Sequence, residues 1–268
     1  MRATIISSCA VSPAISMEQF IPEHFFLYLV KGTMVAYDGN KEYQIKAGDC
    51  GIARRNHLAK YNKQTDDGKF EKIIVFFEQE FLKKFSEGYK MPLEKTIISD
   101  GIMPVNKNVL IENFIASLPA YINRHGAIEQ DFIDIKRTEL LMIILKQQPE
   151  LANVLFDFGI PEKIDLEAFM NKNYKFNVNL QRFAYLTGRS LTTFKKDFEK
   201  IFNDTPSHWL VQKRLEEAHF LIEKKGRRAS DIYVELGFED LSHFSFAFKK
   251  KFGVTPTGLT DRQKKPAS

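Results

Sequence analysis

Cysteine is nearly absent. Cys9 and Cys50 are the only two in 268 residues, which excludes a disulfide scaffold and a clustered cysteine metal site. No run approaches the ~18 consecutive apolar residues of a membrane span, so no membrane partner is expected. The opening stretch "MRATIISSCAVSPAIS" has one Arg and a short, interrupted apolar run, too weak for a secretion signal. It reads as the first strand of a cytoplasmic protein. Histidine is scarce at six residues. His24 and His57 stand alone and no His-x-His occurs, so neither a metal nor a cofactor is expected. There is also no Gly-rich phosphate loop, and no Ser/His/Asp or Cys/His set whose spacing supports catalysis. The chain is not expected to be an enzyme.

What the chain does have is phenylalanine and an uneven charge. The 24 Phe give aromatic packing a large share of the core. Residues 163–268 carry 20 Lys and Arg against 13 Asp and Glu, whereas residues 1–162 carry 19 against 21. A basic half beside a near-neutral half suggests a polyanion-binding part joined to something else. "FGIPEK" (158–163) places Gly and Pro where the balance changes. Two domains are therefore expected, 1–160 and 161–268.

The first half begins as β structure. "HFFLYLVKG", "TMVAYDGNKEYQIKAGD" and "KFEKIIVFF" are rich in aromatic and β-branched residues and are separated by Gly- and Asp-containing turns. Tyr43 and Ile45 alternate with Gln44 and Lys46, as in a half-buried strand. Such spacing suggests a small barrel or sandwich. Helical period follows from Glu78, and "DFIDIKRTELLMIILKQ" (131–147) is the strongest helix of this half. Its apolar face of Phe132, Ile135, Leu140, Ile143 and Ile144 either packs on the barrel or forms a dimer seam, for which Leu140, Ile143 and Ile144 are the candidates.

The second half reads as helix throughout and contains a duplication. "TFKKDFEKIFNDTP" (193–206) returns fifty residues later as "HFSFAFKKKFGVTP" (243–256). Phe194, Phe198 and Phe202 match Phe244, Phe248 and Phe252, and each copy ends in Thr-Pro. The Phe stripe is a buried face, which leaves Thr192, Thr193, Lys195 and Lys196 pointing away from it. Each copy follows a short helix and a Gly turn, at Gly188 and at Gly237. Helix, turn, and a second helix with a polar outer face is the helix-turn-helix arrangement. Between the copies runs "PSHWLVQKRLEEAHFLIEKK" (206–225), opened by Pro206 in its first turn. As a helix it spans about 30 Å, against ~34 Å for one turn of DNA. Two readers at that separation can address successive major-groove segments. The alternative is a helical duplication used for assembly: a ligand- or protein-binding module without DNA binding.

"DIYVELGFEDLSHFSFAFKKKFGVTP" resembles the signature of the AraC/XylS family of bacterial transcription regulators, and the resemblance covers 164–260. More weakly, "EHFFLYLVKGTMVAYDGNKEYQIKAGDCGIARRNH" is similar to the family's cupin-like sensing barrel, and "IKRTELLMIILKQ" resembles its dimerising helix. The resemblance implies an α+β chain of two domains: a cupin-like β-barrel with dimerisation helices, then an all-α double helix-turn-helix domain. The implied function is sequence-specific promoter binding, as an activator contacting RNA polymerase, by a cytoplasmic and possible homodimeric protein.

Carried over by position, Thr192, Lys195 and Lys196 of the first reader would face base edges, as would Ser242, His243, Ser245 and Phe246 of the second. Lys can donate to guanine, Ser and Thr are adaptable, and Phe can touch a thymine methyl. Arg214, Arg227, Arg228, Lys249 and Lys250 are candidates for phosphate contacts or internal ion pairs. Two residues depart from the family pattern, Tyr233 where Ala is common and Phe246 where a polar or basic residue is common. His57 sits where the family's barrel has a loop histidine and is the one effector-pocket candidate. By itself it reads as a structural or solvent-facing residue. Arg54 and Arg55 read as an anion site or a solvated strand edge. A small apolar or anionic effector is the default for a barrel. "RSLTTFKKDFEKIF", however, is similar to the first reader of ExsA-type activators of type III secretion, whose N-terminal domain answers to a partner protein. A cupin-type enzyme is the most distant reading, resting on fold analogy alone.

Overall fold

The computed structural model describes residues 19–89, 100–121 and 128–264. The expected N-terminal strand at 1–16 lies outside them. The chain divides into two compact units, one holding Phe20–Gly159 and the other Ile160 onward together with Gln19.

Among the described residues the first unit has nine strands. In chain order they are β1 (Phe20–Ile21), β2 (His24–Lys31), β3 (Thr33–Tyr37), β4 (Glu42–Lys46), β5 (Cys50–Ala53), β6 (His57–Leu58), β7 (Lys60–Gln64), β8 (Glu71–Phe77) and β9 (Ile102–Val105). They form a four-stranded sheet ordered β8-β2-β5-β9, a three-stranded sheet β4-β3-β7, and the pair β1-β6. All pairings are antiparallel.

Side-chain alternation decides what each sheet face meets. Along β2, Leu27 and Leu29 face one way and pack with Ile74, Met34 and Phe70, joining the two larger sheets. Phe26 faces the other way, into a core shared with Ile52, Val75, Phe77 and the helices. Among the described residues no hydrogen-bonded ladder joins the four- and three-stranded sheets. The described strands are therefore facing open sheets, not the closed barrel expected. The chain crosses between the sheets at Gly32, and β3, β4 and β7 pair only among themselves.

Its described residues also form the helices α1 (Gln79–Gly88), α2 (Val109–Ser117), α3 (Gln130–Gln147) and the single turn α4 (Ala152–Leu155). Helix α3 lies in the core with Leu140, Leu141, Ile144 and Leu145 fully buried. Of the two roles expected for this face, packing within the unit is the one that these burials match. Leu140 and Ile144 are enclosed within the unit, and Ile143 is partly buried against the same core. The face of α3 left in solvent carries Ile135 at 61% and Met142 at 56% exposure.

The second unit contains α5 (Leu166–Asn173), α6 (Leu180–Leu186), α7 (Leu191–Phe202), α8 (Pro206–Lys225), α9 (Ala229–Ile232), α10 (Leu241–Phe252) and α11 (Pro256–Lys264). The caps explain the boundaries. The side chains of Asp165, Asn179, Ser190, Thr205 and Asp240 each accept a backbone N–H from the first turn of α5, α6, α7, α8 and α10 respectively. Left-handed Asn203, Gly226 and Gly253 end α7, α8 and α10. "SDIYVELG", expected as a helix, is one helical turn at α9 followed by turns to Gly237.

Candidate nucleic-acid interface

Helices α7 and α10 have twelve residues each and bury the same positions. Phe194, Phe198, Phe244 and Phe248 are all fully buried. In the first copy, the α8 residue Trp209 lies against Phe198 and Phe202, with ring centroids 5.5 and 4.7 Å apart. In the second, His219 of α8 takes that place against Phe248 and Phe252, at 6.0 and 4.6 Å. Full burial of one such ring stabilises by about 1.5–3 kcal/mol. One helix thus presents a surface to both readers and fixes them to a common scaffold.

The turns are set by two glycines. Gly188 has φ +65°, and a Cβ there would lie 2.3 Å from the Glu162 carbonyl carbon. Gly237 has φ +86°, with the Arg214 guanidinium carbon 2.8 Å from the same imagined atom. Both positions require the left-handed region and a side chain no larger than hydrogen.

Arg214 is not available to phosphate. It is buried, and its guanidinium donates to the carbonyls of Tyr174 at 2.7 Å, Phe176 at 2.9 Å and Gly237 at 2.9 Å. Burial pushes its pKa down to about 10. The residue is a clamp between α8, the segment after α5 and the second turn. Arg227 is exposed but lies 3.2 Å from the Glu235 carboxylate, the internal ion pair that was one of its two expected roles. Arg228, Lys249 and Lys250 are exposed.

The expected base-facing residues lie on the solvent side of their helices. Thr192, Lys195, Lys196, Ser242 and His243 are exposed, Ser245 is half-buried, and Phe246 is 70% exposed. Lys195, Lys196, Lys249 and Lys250 have no ion pair among the described residues, whereas Lys251 is tied to Glu216 at 2.9 Å. Tyr233, the other departure from the family pattern, packs against the core around Phe244 and Phe248.

Sequence reasoning missed one cluster. Asp197 on α7 accepts from Arg189 at 3.0 Å and lies 3.5 Å from Lys163. These cations hold its carboxyl below the usual range, Arg189 contributing most. Ala247 is the matching residue of α10, so this lock belongs to the first copy alone.

In the first unit, the two arginines expected as an anion site or solvated edge do neither. Arg55 is buried and donates to the carbonyls of Asp157 and Gly159, and Arg54 meets the Asp157 carboxylate at 3.3 Å. The His57 ring is half-buried with Nδ1 3.0 Å from the Arg55 carbonyl, and burial lowers its pKa. An open cavity of about 460 Å³ is lined by Tyr89, Leu110, Met142, Ile143 and Lys146 among others, and His57 is not one of them. Among the described residues no group of three His, Cys, Asp or Glu could hold a metal, and no helix is long and apolar enough to cross a membrane. Cys50 is buried, which raises its thiol to about 11.

A compact unit of two capped, Phe-striped helices with polar outer faces defines a helix-turn-helix DNA-binding protein with a separate sheet-rich unit before it. Residues 183–262 match the helix-turn-helix domain family, and residues 24–154 match the ExsA N-terminal regulatory domain. The virulence regulon transcriptional activator VirF of Yersinia enterocolitica is 31% identical over 239 residues, covering 85% of this chain and 86% of VirF. The transcriptional regulator ExsA of Pseudomonas aeruginosa is 24% identical over 234 residues, covering 85% of this chain and 83% of ExsA. Among solved structures, a ToxT variant from Vibrio cholerae is 15% identical with a TM-score of 0.42, over 91% of this chain and 90% of that one. The chain belongs to the AraC family of transcription regulators, with an N-terminal domain of the ExsA type.

Proposed function

We infer that this regulator activates transcription by setting α7 and α10 into successive major-groove segments of a promoter, under control of its first unit. The observation that carries the reading is the duplicated helix itself: identical buried stripes, with unpaired lysines and small polar residues outside. Helix α8, at 20 residues, is about 30 Å long, close to one DNA turn. Thr192, Lys195, Lys196, Ser242, His243, Ser245 and Phe246 face the bases in this reading, and Arg228, Lys249 and Lys250 the phosphates. Activation, rather than repression, is supported by the activators among its relatives, and contact with RNA polymerase in the cytoplasm completes that role.

Control passes through a small molecule or a protein bound by the first unit, which shifts the population able to bind DNA. The ExsA-type match of this unit favours the protein partner. If the chain pairs with itself through α3, the seam is formed by exposed Ile135 and Met142 rather than by Leu140 and Ile144. The test is selection of genomic promoter fragments by the full chain, beside Lys195→Ala/Lys196→Ala. Enrichment of two sequence blocks about one helical turn apart, altered in the variant, is expected. A folded chain that enriches nothing at low salt contradicts the reading and favours an assembly module.

A further inference from the structure

The two readers differ most at one matched position. Lys196 is the sixth residue of α7 and Phe246 the sixth of α10. Phe246 is 70% exposed, the second most exposed large apolar side chain among the described residues. It makes no ring contact among them, although the other Phe residues of α10 all do. Its neighbours on the helix surface are Ser242 one turn before and Lys249 and Lys250 one turn after, all exposed. Phe246 thus stands between a small polar residue and a basic last turn, on the face opposite buried Phe244 and Phe248.

At 70% exposure the ring adds little to the fold, and a single exposed apolar residue needs no explanation by itself; what bears on function is its place in the middle of the reader's outer face. In the major groove the base edges offer hydrogen-bond donors and acceptors almost everywhere, and their one apolar group is the C5-methyl of thymine. A Phe ring offers no hydrogen bond to those polar edges. Lysine at the matching place on α7 has the opposite preference: it donates to guanine O6 and N7 and has no use for a methyl.

We propose that the two readers select by different chemistry: α7 reads guanine through Lys195 and Lys196, and α10 reads a thymine methyl through Phe246. The proposal rests on the DNA-reading role above and deepens it. It makes the target asymmetric, with a guanine-bearing block under the first reader and a thymine fixed under the second. Asymmetry of this kind gives a single chain a defined direction along the promoter, because exchanging the blocks would set lysine against methyl and phenyl against guanine.

The test replaces a methyl by hydrogen. A duplex enriched from a random library by the full chain is resynthesised with each thymine in turn changed to deoxyuridine, which keeps every hydrogen-bonding group. One thymine, in the block that Lys195→Ala/Lys196→Ala leaves unchanged, is expected to weaken binding about fourfold when demethylated, the factor matching roughly 0.8 kcal/mol for one buried carbon at 1.4 kcal/mol per decade. Phe246→Ala is expected to bind thymine and deoxyuridine duplexes equally, and Phe246→Leu to restore part of the difference. Since Phe246 is exposed, both variants are expected to keep the parent's thermal transition, which is measured alongside.

An enriched motif with no deoxyuridine-sensitive thymine, or a sensitivity that survives in Phe246→Ala, overturns the assignment while leaving DNA reading intact. If Phe246→Ala leaves the deoxyuridine ratio unchanged but lowers transcription, the ring contacts a protein and the assignment is wrong. A chain that enriches no sequence overturns the DNA-reading role, and this assignment with it.

Discussion

Helices α7 and α10 share their inner faces and almost nothing of their outer ones. Inside, Phe occupies three matched positions and each stripe lies against an aromatic ring of α8, Trp209 or His219. Outside, α7 places lysine in its middle at 195 and 196 and locks to its own turn through Asp197. Helix α10 places a phenyl ring in its middle and gathers Lys249, Lys250 and Lys251 in its last turn. The difference separates two demands on one repeated sequence. Packing demands sameness, because both helices close the same kind of core against one scaffold helix. Recognition demands difference, because two identical readers would specify only a repeated block.

That comparison can be broken first through the core. Phe198→Ala and Phe248→Ala should each cost about 3–5 kcal/mol, since each empties a fully buried ring site. Chemical denaturation of the full chain measures this, and equal destabilisation would support the equivalence of the copies. Arg214→Ala should follow at about 2–4 kcal/mol, because three carbonyls are deprived of a buried charged donor. The salt dependence of DNA binding should not change in that variant, whereas a phosphate-binding arginine would alter it. Lys249→Ala/Lys250→Ala should leave stability unchanged and flatten the plot of log affinity against log salt, by about 0.9 in slope for each phosphate no longer neutralised. Lys195→Ala/Lys196→Ala should instead change which sequence is enriched.

Acid sharpens the comparison further. Asp197 has a depressed pKa in the fold, so the stability it contributes is present above the normal aspartate range and is lost as pH falls through the folded value. Only the first copy holds this lock. Asp197→Asn should therefore flatten the low-pH fall in stability, measured by thermal unfolding across about pH 2–5, the range around the reference aspartate value. The smallest effect concerns the caps. Asn203 ends α7 at φ +52° where Gly253 ends α10, so Asn203→Gly should be neutral or stabilise by up to about 1 kcal/mol.

Much of the second unit was legible because it is local. The Phe stripes, Pro206 in a first turn and the two turn glycines are all set within a few residues of themselves. Asp240 was also within reach, since it stands immediately before the α10 stripe. Arg214 was not, because its partners lie 23 to 40 residues away in the chain and a long cation in a basic segment looks like a phosphate ligand until its carbonyls are placed.

In the first unit the strands were legible from turns and alternation, but their closure was not. Whether strands form a barrel or open sheets depends on which edges pair, and the residues of a single strand do not encode that. Strand β9 escaped notice for a similar reason: it is four residues long, contains Pro104 and sits at a sheet edge. The apolar face of α3 was visible, but not how it divides. Leu140 and Ile144 went to the core shared by the sheet and the helices, and Ile135 and Met142 to solvent.

The central claim is that two helices on one scaffold read two segments of one DNA face. Hydroxyl-radical footprinting of the full chain on its enriched duplex tests it most directly. Two protected patches on the same face, about 10 base pairs apart, are expected, with the patch under α7 weakened by Lys195→Ala/Lys196→Ala and the other retained. A single patch that responds to substitutions in both helices would contradict the account.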